Sequence, residues 1–394
     1  MSDIRIIAKY KKKYKYENED NKEETVSTDN PLDEEGISEE ENQLPNSNVE
    51  EELQKNSFQA PVSEIDRLNA LSSTTETVIS DEYNDHVDYI IISHGNRVKA
   101  VTHDGDHPYY ERDYSKKVAE YFEGKGKNVI IKSILLDFDA PLILETKMLA
   151  KYIDHIAKKE NVDTISVIGH SKCGAMAFNL PKFFTEEESY EKTSITTIAT
   201  PFLGCFIASK SEFLAKAKEI VRYHISNPYY ADQVYKALCS IYEYINPGSS
   251  HMNNDIAQPG YKSDNYDPSF IADMFDIRNI NAINKVRKYR NFTTGPMDDA
   301  ILRKYLQLGD FQSVGMYFID KYFIPKPSDG FVEEESQYEV EKHIEDFSSI
   351  KIPKTSHYFL THKKDREEVL YYVNNDIDEY KRRKKEEKSK LKAS

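Results

Sequence analysis

The stretch "SVIGHSKCGA", residues 166–175, decides how the rest of the chain is read. A β-like apolar run ends in Gly169-His170-Ser171, and the helix-like run "KCGAMAFNLPKFF" starts directly after it. A chain that passes from strand to helix without a loop needs small neighbours at the bend, which accounts for Gly169. The serine needs a different account. A hydroxyl at the carboxyl end of a buried strand stands at the edge of an open sheet, where sites in α/β folds lie.

The flanking sequence repeats the same alternation. "VDYIIISHGN" (87–96), "NVIIKSILLD" (128–137), "DTISVIGHS" (163–171) and "TSITTIATP" (193–201) read as strands, the first as one buried on both faces. Between them, Tyr114, Val118, Tyr121 and Phe122 share one helical face. Leu144, Met148, Leu149, Tyr152, Ile153 and Ile156 make a second stripe. Strand and helix in this rhythm predict a mostly parallel sheet with helices on both faces.

After Gly204 the rhythm breaks. Residues 206–290 are tyrosine-dense and carry helical stripes, Phe213, Leu214, Ala217, Ile220 and Val221, then Val234, Leu238, Ile241, Tyr242 and Ile245. This segment is expected to be a helical cap or lid inserted between 85–205 and 291–380, the two parts of the core. "RKYRNFTTG" (287–295) returns to the sheet, and "FSSIKIPKTSHYF" (347–359) supplies a late strand and a loop. A closing helix with Val369, Leu370, Val373, Ile377 and Tyr380 on one face is expected to fray into a basic tail, 381–394. Residues 1–84 form an acidic N-terminal region. Its stretch from about 17 to 80 is too poor in apolar residues to offset its ordering entropy, so it is read as disordered.

Bulk composition excludes several classes. A net charge of −15 over 394 residues argues against a nucleic-acid binder, which needs a basic face for phosphates. The three cysteines, Cys173, Cys205 and Cys239, form no CxxC pair and imply neither a disulfide framework nor a zinc site. No apolar run approaches the roughly 18 residues of a membrane span, and "MSDIRIIAKYKKKYKY" lacks the pattern of a cleavable signal. A cytoplasmic, reducing location is expected, with export by a non-classical route left open. "THDGDHPYY" (102–110) holds His103, Asp104, Asp106 and His107, read as a polar loop rather than a metal site, so neither metal nor cofactor is expected. "KRRKK" (381–385) could give transient contact with a membrane surface, although its interleaved glutamates favour a solvated helix end.

A Gly-x-Ser between a buried strand and a helix is the pattern of a nucleophile elbow. Here the sequence resembles the lipase branch of the α/β-hydrolase superfamily, similar to bacterial triacylglycerol lipases and to lipases of the GPI inositol-deacylase type. "GHSKCG" is that group's Gly-His-Ser-Lys-Gly-Gly with Cys173 in place of the first closing glycine. The resemblance extends to "SHGN" (93–96), "IATPFLG" (198–204), "NPGSSHMNN" (246–254) and the Ser-Asp-Gly-x-Val-x-x-x-Ser of "KPSDGFVEEESQ".

The resemblance implies an α/β-hydrolase fold and a serine hydrolase acting on carboxylic esters, lipids foremost. Ser171 would be the nucleophile, Asp329 the acid and His357 the base, in the chain order this fold requires. Backbone N–H groups of Lys172 and Asn96 would form the oxyanion hole. Asp298 and Asp299 remain rival acids, and His343 and His362 rival bases. Cys173, two residues into the helix, would point away from the apex and pack. Acyl transfer, thioester cleavage and a non-catalytic binding role stay open as alternatives, as does the oligomeric state.

Overall fold

β2 (Val87–Ser93) is the innermost apolar strand, with Ile90, Ile91 and Ile92 fully buried. A strand apolar on successive residues must be covered on both faces, and parallel neighbours with crossover helices provide that cover. In the computed structural model β2 lies between β3 (Val129–Ile134) and β4 (Val162–His170), parallel to both. β5 (Thr193–Ile198), β6 (Lys288–Thr294) and β7 (Ile350–Ile352) continue the sheet in parallel. The described residues are 72–79, 86–93, 114–134, 142–205, 210–224, 226–229, 231–232, 235–236, 239, 270, 274–300, 302–303, 317, 319–324, 326–353, 355–357 and 363–393. All belong to the compact unit Leu71–Ser394.

The seven strands run in the order β1-β3-β2-β4-β5-β6-β7, and only β1 (Ser72–Val78) is antiparallel. β1 corrects the sequence reading, which placed these residues in the disordered stretch. Its sequence, SSTTETV, has almost no apolar content but three β-branched threonines. That composition suits a solvated edge strand, and β1 pairs only with β3.

Helices cover both faces. α1 (Tyr114–Phe122) and α8 (Lys363–Ala393) bury Val118, Phe122, Val369, Leu370, Val373 and Ile377 against Ile90, Ile92, Ile131, Ile168 and Phe292. α2 (Leu142–Ala157) and α3 (Lys172–Asn179) pack on β4, and α3 also on β5. A short helix, α4 (Glu187–Lys192), leads into β5. The closing helix does not fray after Tyr380 but continues to Ala393. Pairs such as Arg382–Glu386 and Arg383–Glu379, one turn apart, support its solvated end.

Most of 206–290 lies outside the described residues, as do 94–113, 246–254 and 358–362. Within the cap segment, α5 (Lys210–His224) buries Phe213, Ala217 and Val221, the stripe expected from sequence. Phe213 stacks on Phe323, with ring centroids 5.2 Å apart. α6 (Ile277–Ile283) precedes β6, and α7 (Glu334–Tyr338) lies between β6 and β7. The parallel strands therefore all end at one edge, where Ser93, Ile134, His170, Ile198, Thr294 and Ile352 are their last residues.

Candidate active site

β4 ends at His170 and α3 begins at Lys172, which leaves Ser171 alone at the bend. Its backbone has φ 57° and ψ −130°, a conformation that a residue with a Cβ adopts only when its surroundings hold it there. Two hydrogen bonds do so. The Ser171 N–H donates to the Ile198 carbonyl (2.8 Å), and the Ser171 carbonyl accepts from the Gly174 N–H (2.8 Å). The bend is thereby tied to the end of β5 and to the first turn of α3.

The steric demand for glycine falls at positions 169 and 174. A Cβ on Gly169 would come 2.3 Å from the Cys173 carbonyl oxygen, and one on Gly174 would come 1.8 Å from Thr200 Oγ1. Position 173 therefore has room for a side chain, and the cysteine is accommodated. Cys173 is buried, and burial pushes its thiol up to about 12, so it stays protonated and weakly nucleophilic.

Asp329 and His357 meet at the same edge of the sheet. Asp329 is fully buried in the turn that follows Ser328, and Gly330 continues that turn at φ 95°. His357 lies just beyond β7, and its backbone N–H donates to the Asp329 carbonyl (2.9 Å). Its Nδ1–H donates to Asp329 Oδ2 (2.9 Å), the tautomer in which Nε2 carries the basic lone pair. The His357 ring is flanked by Phe331 at 5.1 Å and by His170 at 4.7 Å between centroids. His170 Nε2–H also donates to the His357 carbonyl (2.8 Å). The residue before the elbow serine thus holds the loop that carries the imidazole.

The carboxylate of Asp329 is held by more than the histidine. Oδ1 accepts from the backbone N–H groups of Phe331 (3.0 Å) and Val332 (2.9 Å). Oδ2 accepts from Thr294 Oγ1 (2.5 Å) and Gln337 Nε2 (3.3 Å). Gln337 also accepts the Thr294 N–H through Oε1 (2.7 Å), locking α7 to the end of β6. Ser336 receives the Leu203 N–H (2.9 Å) and donates to the Gly204 carbonyl (2.8 Å). The last serine of the Ser-Asp-Gly motif therefore ties the acid turn to "TPFLG". Sequence reasoning missed His170, Thr294 and Gln337 as supports, and only their tertiary contacts reveal them.

The rival residues lie elsewhere. Asp298 is exposed and accepts the Ala300 N–H, while the exposed Asp299 takes the Tyr317 hydroxyl. His343 stacks on Phe275 at 4.0 Å and bonds Glu339 (3.2 Å). Lys172 is buried at the first position of α3. Asn96, His362 and the 102–110 loop lie outside the described residues. Among those residues, no helix is long and apolar enough to cross a membrane, and no group of three or more His, Cys, Asp or Glu side chains could hold a metal ion.

A strand order of 1-3-2-4-5-6-7 with the strained serine directly after the central β4 settles the architecture. The chain has the α/β-hydrolase fold. No protein-family model and no curated protein matches its sequence. Among solved structures it is similar to the mature lipase BlEst2 of Bacillus licheniformis, with 15% identity and TM-score 0.41 over 77% of this chain and 98% of that one. It is also similar to Est1E from Butyrivibrio proteoclasticus (12% identity, TM-score 0.38, 77% of this chain and 94% of that one). A lipase-esterase related protein from Clostridium acetobutylicum shares 11% identity at TM-score 0.36, over 76% of this chain and 98% of that one. Function lives in sites grafted on folds, so likeness at this level transfers no activity.

Proposed function

We propose that the protein is a serine hydrolase of carboxylic esters, with lipid esters as the favoured substrate class. One observation carries the reading: a buried Asp329–His357 pair is held against the strand end that presents a strained serine. An imidazole that donates through Nδ1 to a carboxylate carries its basic lone pair on Nε2, and a serine needs such a base to become nucleophilic.

In the proposed reaction the Ser171 hydroxyl oxygen attacks the ester carbonyl carbon while His357 Nε2 takes its proton. Asp329 stabilises the imidazolium and keeps the ring in register. The negative charge on the former carbonyl oxygen faces the N-terminal end of α3, where the Lys172 N–H is the first donor. The second donor is assigned to Asn96 on the resemblance described above. Collapse of the tetrahedral intermediate expels the alcohol, which receives the proton from His357. Water then attacks the acyl-enzyme by the same steps and releases the acid.

The test is hydrolysis of p-nitrophenyl esters of two to sixteen carbons by wild type and Ser171→Ala. The expected result is turnover that rises with chain length in the wild type and falls at least about 10³-fold in the variant. Serine-dependent activity confined to short chains would move the substrate class to soluble esters. Activity retained in Ser171→Ala would overturn the mechanism.

A further inference from the structure

The turn carrying Asp329 is anchored from behind by a second carboxylate. Asp320, on the short helical segment before the turn, accepts the Ser328 N–H (3.1 Å) and the Ser328 hydroxyl (2.6 Å), both at Oδ1. Ser328 Oγ in turn accepts the Gly330 N–H (3.0 Å), and the Ser328 carbonyl accepts the Met297 N–H (3.2 Å). Residues on both sides of Asp329 are therefore fixed through one side chain. The segment bearing Asp320 also carries Phe323, on which Phe213 of α5 stacks, so it joins the cap to the acid turn.

We propose that Asp320 is a positioning residue for the Asp329–His357 pair, acting by its hydrogen bonds to Ser328 and by the negative charge it places behind Asp329. The proposal rests on the ester-hydrolase reading above. Asp320 touches no reacting atom. Its two bonds fix the direction of the Asp329 carboxylate, and its charge adds to the field that favours a protonated imidazole. Mutual repulsion between two carboxylates is tolerated because Asp329 is saturated with donors.

Among the described residues, the charged or titratable groups facing Asp320 are Asp329, Lys321 and Tyr317. Burial is the largest influence on its carboxyl and raises it to about 6, with Asp329 adding to the rise. The Ser328 bonds and Lys321 act the other way. Asp320 is therefore charged at pH 7.5 and neutral at pH 5. A carboxyl raised in the folded state binds its proton more tightly than in the unfolded chain. Its ionisation accordingly costs stability as pH rises from about 4 to about 6.

Two variants separate the bonds from the charge. Asp320→Asn keeps an Oδ1 that accepts both Ser328 bonds and removes the charge, whereas Asp320→Ala removes both. With p-nitrophenyl butyrate, kcat at pH 7.5 is expected to fall about threefold in Asp320→Asn and about tenfold or more in Asp320→Ala, with KM within twofold. The acid limb of kcat/KM against pH is expected to need two ionisations in the wild type and one in Asp320→Asn. The melting temperature of Asp320→Asn at pH 7.5 is expected to equal or exceed that of the wild type, so that the kcat loss cannot be assigned to unfolding. An unchanged acid limb in Asp320→Asn, with Ser171→Ala inactive, would overturn this proposal and leave the hydrolase reading standing. Activity in Ser171→Ala would instead overturn that reading itself.

Discussion

The two edges of the sheet bury charge in opposite ways. At the amino-terminal edge, Asp88, Asp376 and Lys127 are buried and each meets an opposite charge. Asp88, fully buried on β2, pairs with Lys381 of α8 (2.7 Å) and accepts the Thr164 hydroxyl (2.7 Å). Arg290 Nε bonds Asp376 Oδ2 (3.0 Å), Arg287 donates to the Asp376 carbonyl (2.8 Å), and Lys127 pairs with Asp378 (2.7 Å). At the carboxyl-terminal edge, Asp329 is equally buried, yet its only ion-pair partner among the described residues is His357. The rest of its shell is neutral donors. A carboxylate neutralised by a fixed cation is inert, whereas one facing a titratable imidazole can stabilise charge that appears only during a reaction. The first edge fastens the closing helix, and under the proposed function the second carries the reaction.

The largest expected effect breaks the second edge. Asp329→Asn replaces a charged acceptor with an amide and favours the wrong imidazole tautomer. kcat is expected to fall about 10³- to 10⁴-fold on p-nitrophenyl esters, with KM little changed. A loss under tenfold would mean that the carboxylate does not orient the base. The first edge should respond in stability alone. Lys381→Met strands Asp88 without its cation and is expected to cost about 2–3 kcal/mol by urea unfolding at pH 8, with kcat per folded molecule unchanged. Lys381 is partly exposed, which places this near the low end for a broken buried pair. Burial already raises the Asp88 carboxyl above its ordinary value. The penalty should therefore shrink as pH falls and the stranded carboxyl takes up a proton. An equal cost at pH 5 and pH 8 would contradict that origin.

Much of the second edge was legible in the sequence, and the reasons are specific. β2 announced itself because a doubly covered parallel strand is apolar on successive residues, whereas β5 (TSITTI) and β6 (KYRNFTT) are more polar and were placed by the strand–helix rhythm. The elbow was legible because its sterics force a glycine at 169. Asp329 and His357 were picked through motif and chain order, and the structure pairs them while Asp298 and Asp299 lie exposed. β1 was missed because a polar edge strand with one neighbour carries no apolar signal. His170 and Thr294 were missed because each acts on a residue distant in sequence, and Gln337 and Asp320 because they act across eight residues, a spacing no helix or strand pattern predicts. Cys173 stands where the resembled motif has its first closing glycine, and the structure places the steric requirement at Gly174, one residue along.

The smallest expected effect follows from that last point. Cys173→Ala should leave activity within about threefold, since the thiol is buried packing rather than chemistry. Iodoacetamide should leave Cys173 unlabelled in the folded wild type. Labelling there with loss of activity would make the cysteine, not the serine, the group to explain.

The central claim is that Ser171 is a nucleophile activated by His357. The most direct measurement is mass spectrometry of the protein after treatment with a fluorophosphonate, in the wild type and in His357→Ala. The account requires one adduct on the Ser171 peptide of the wild type, formed at least about 100-fold more slowly without the imidazole. No adduct at Ser171, or one whose rate is indifferent to His357, would contradict it.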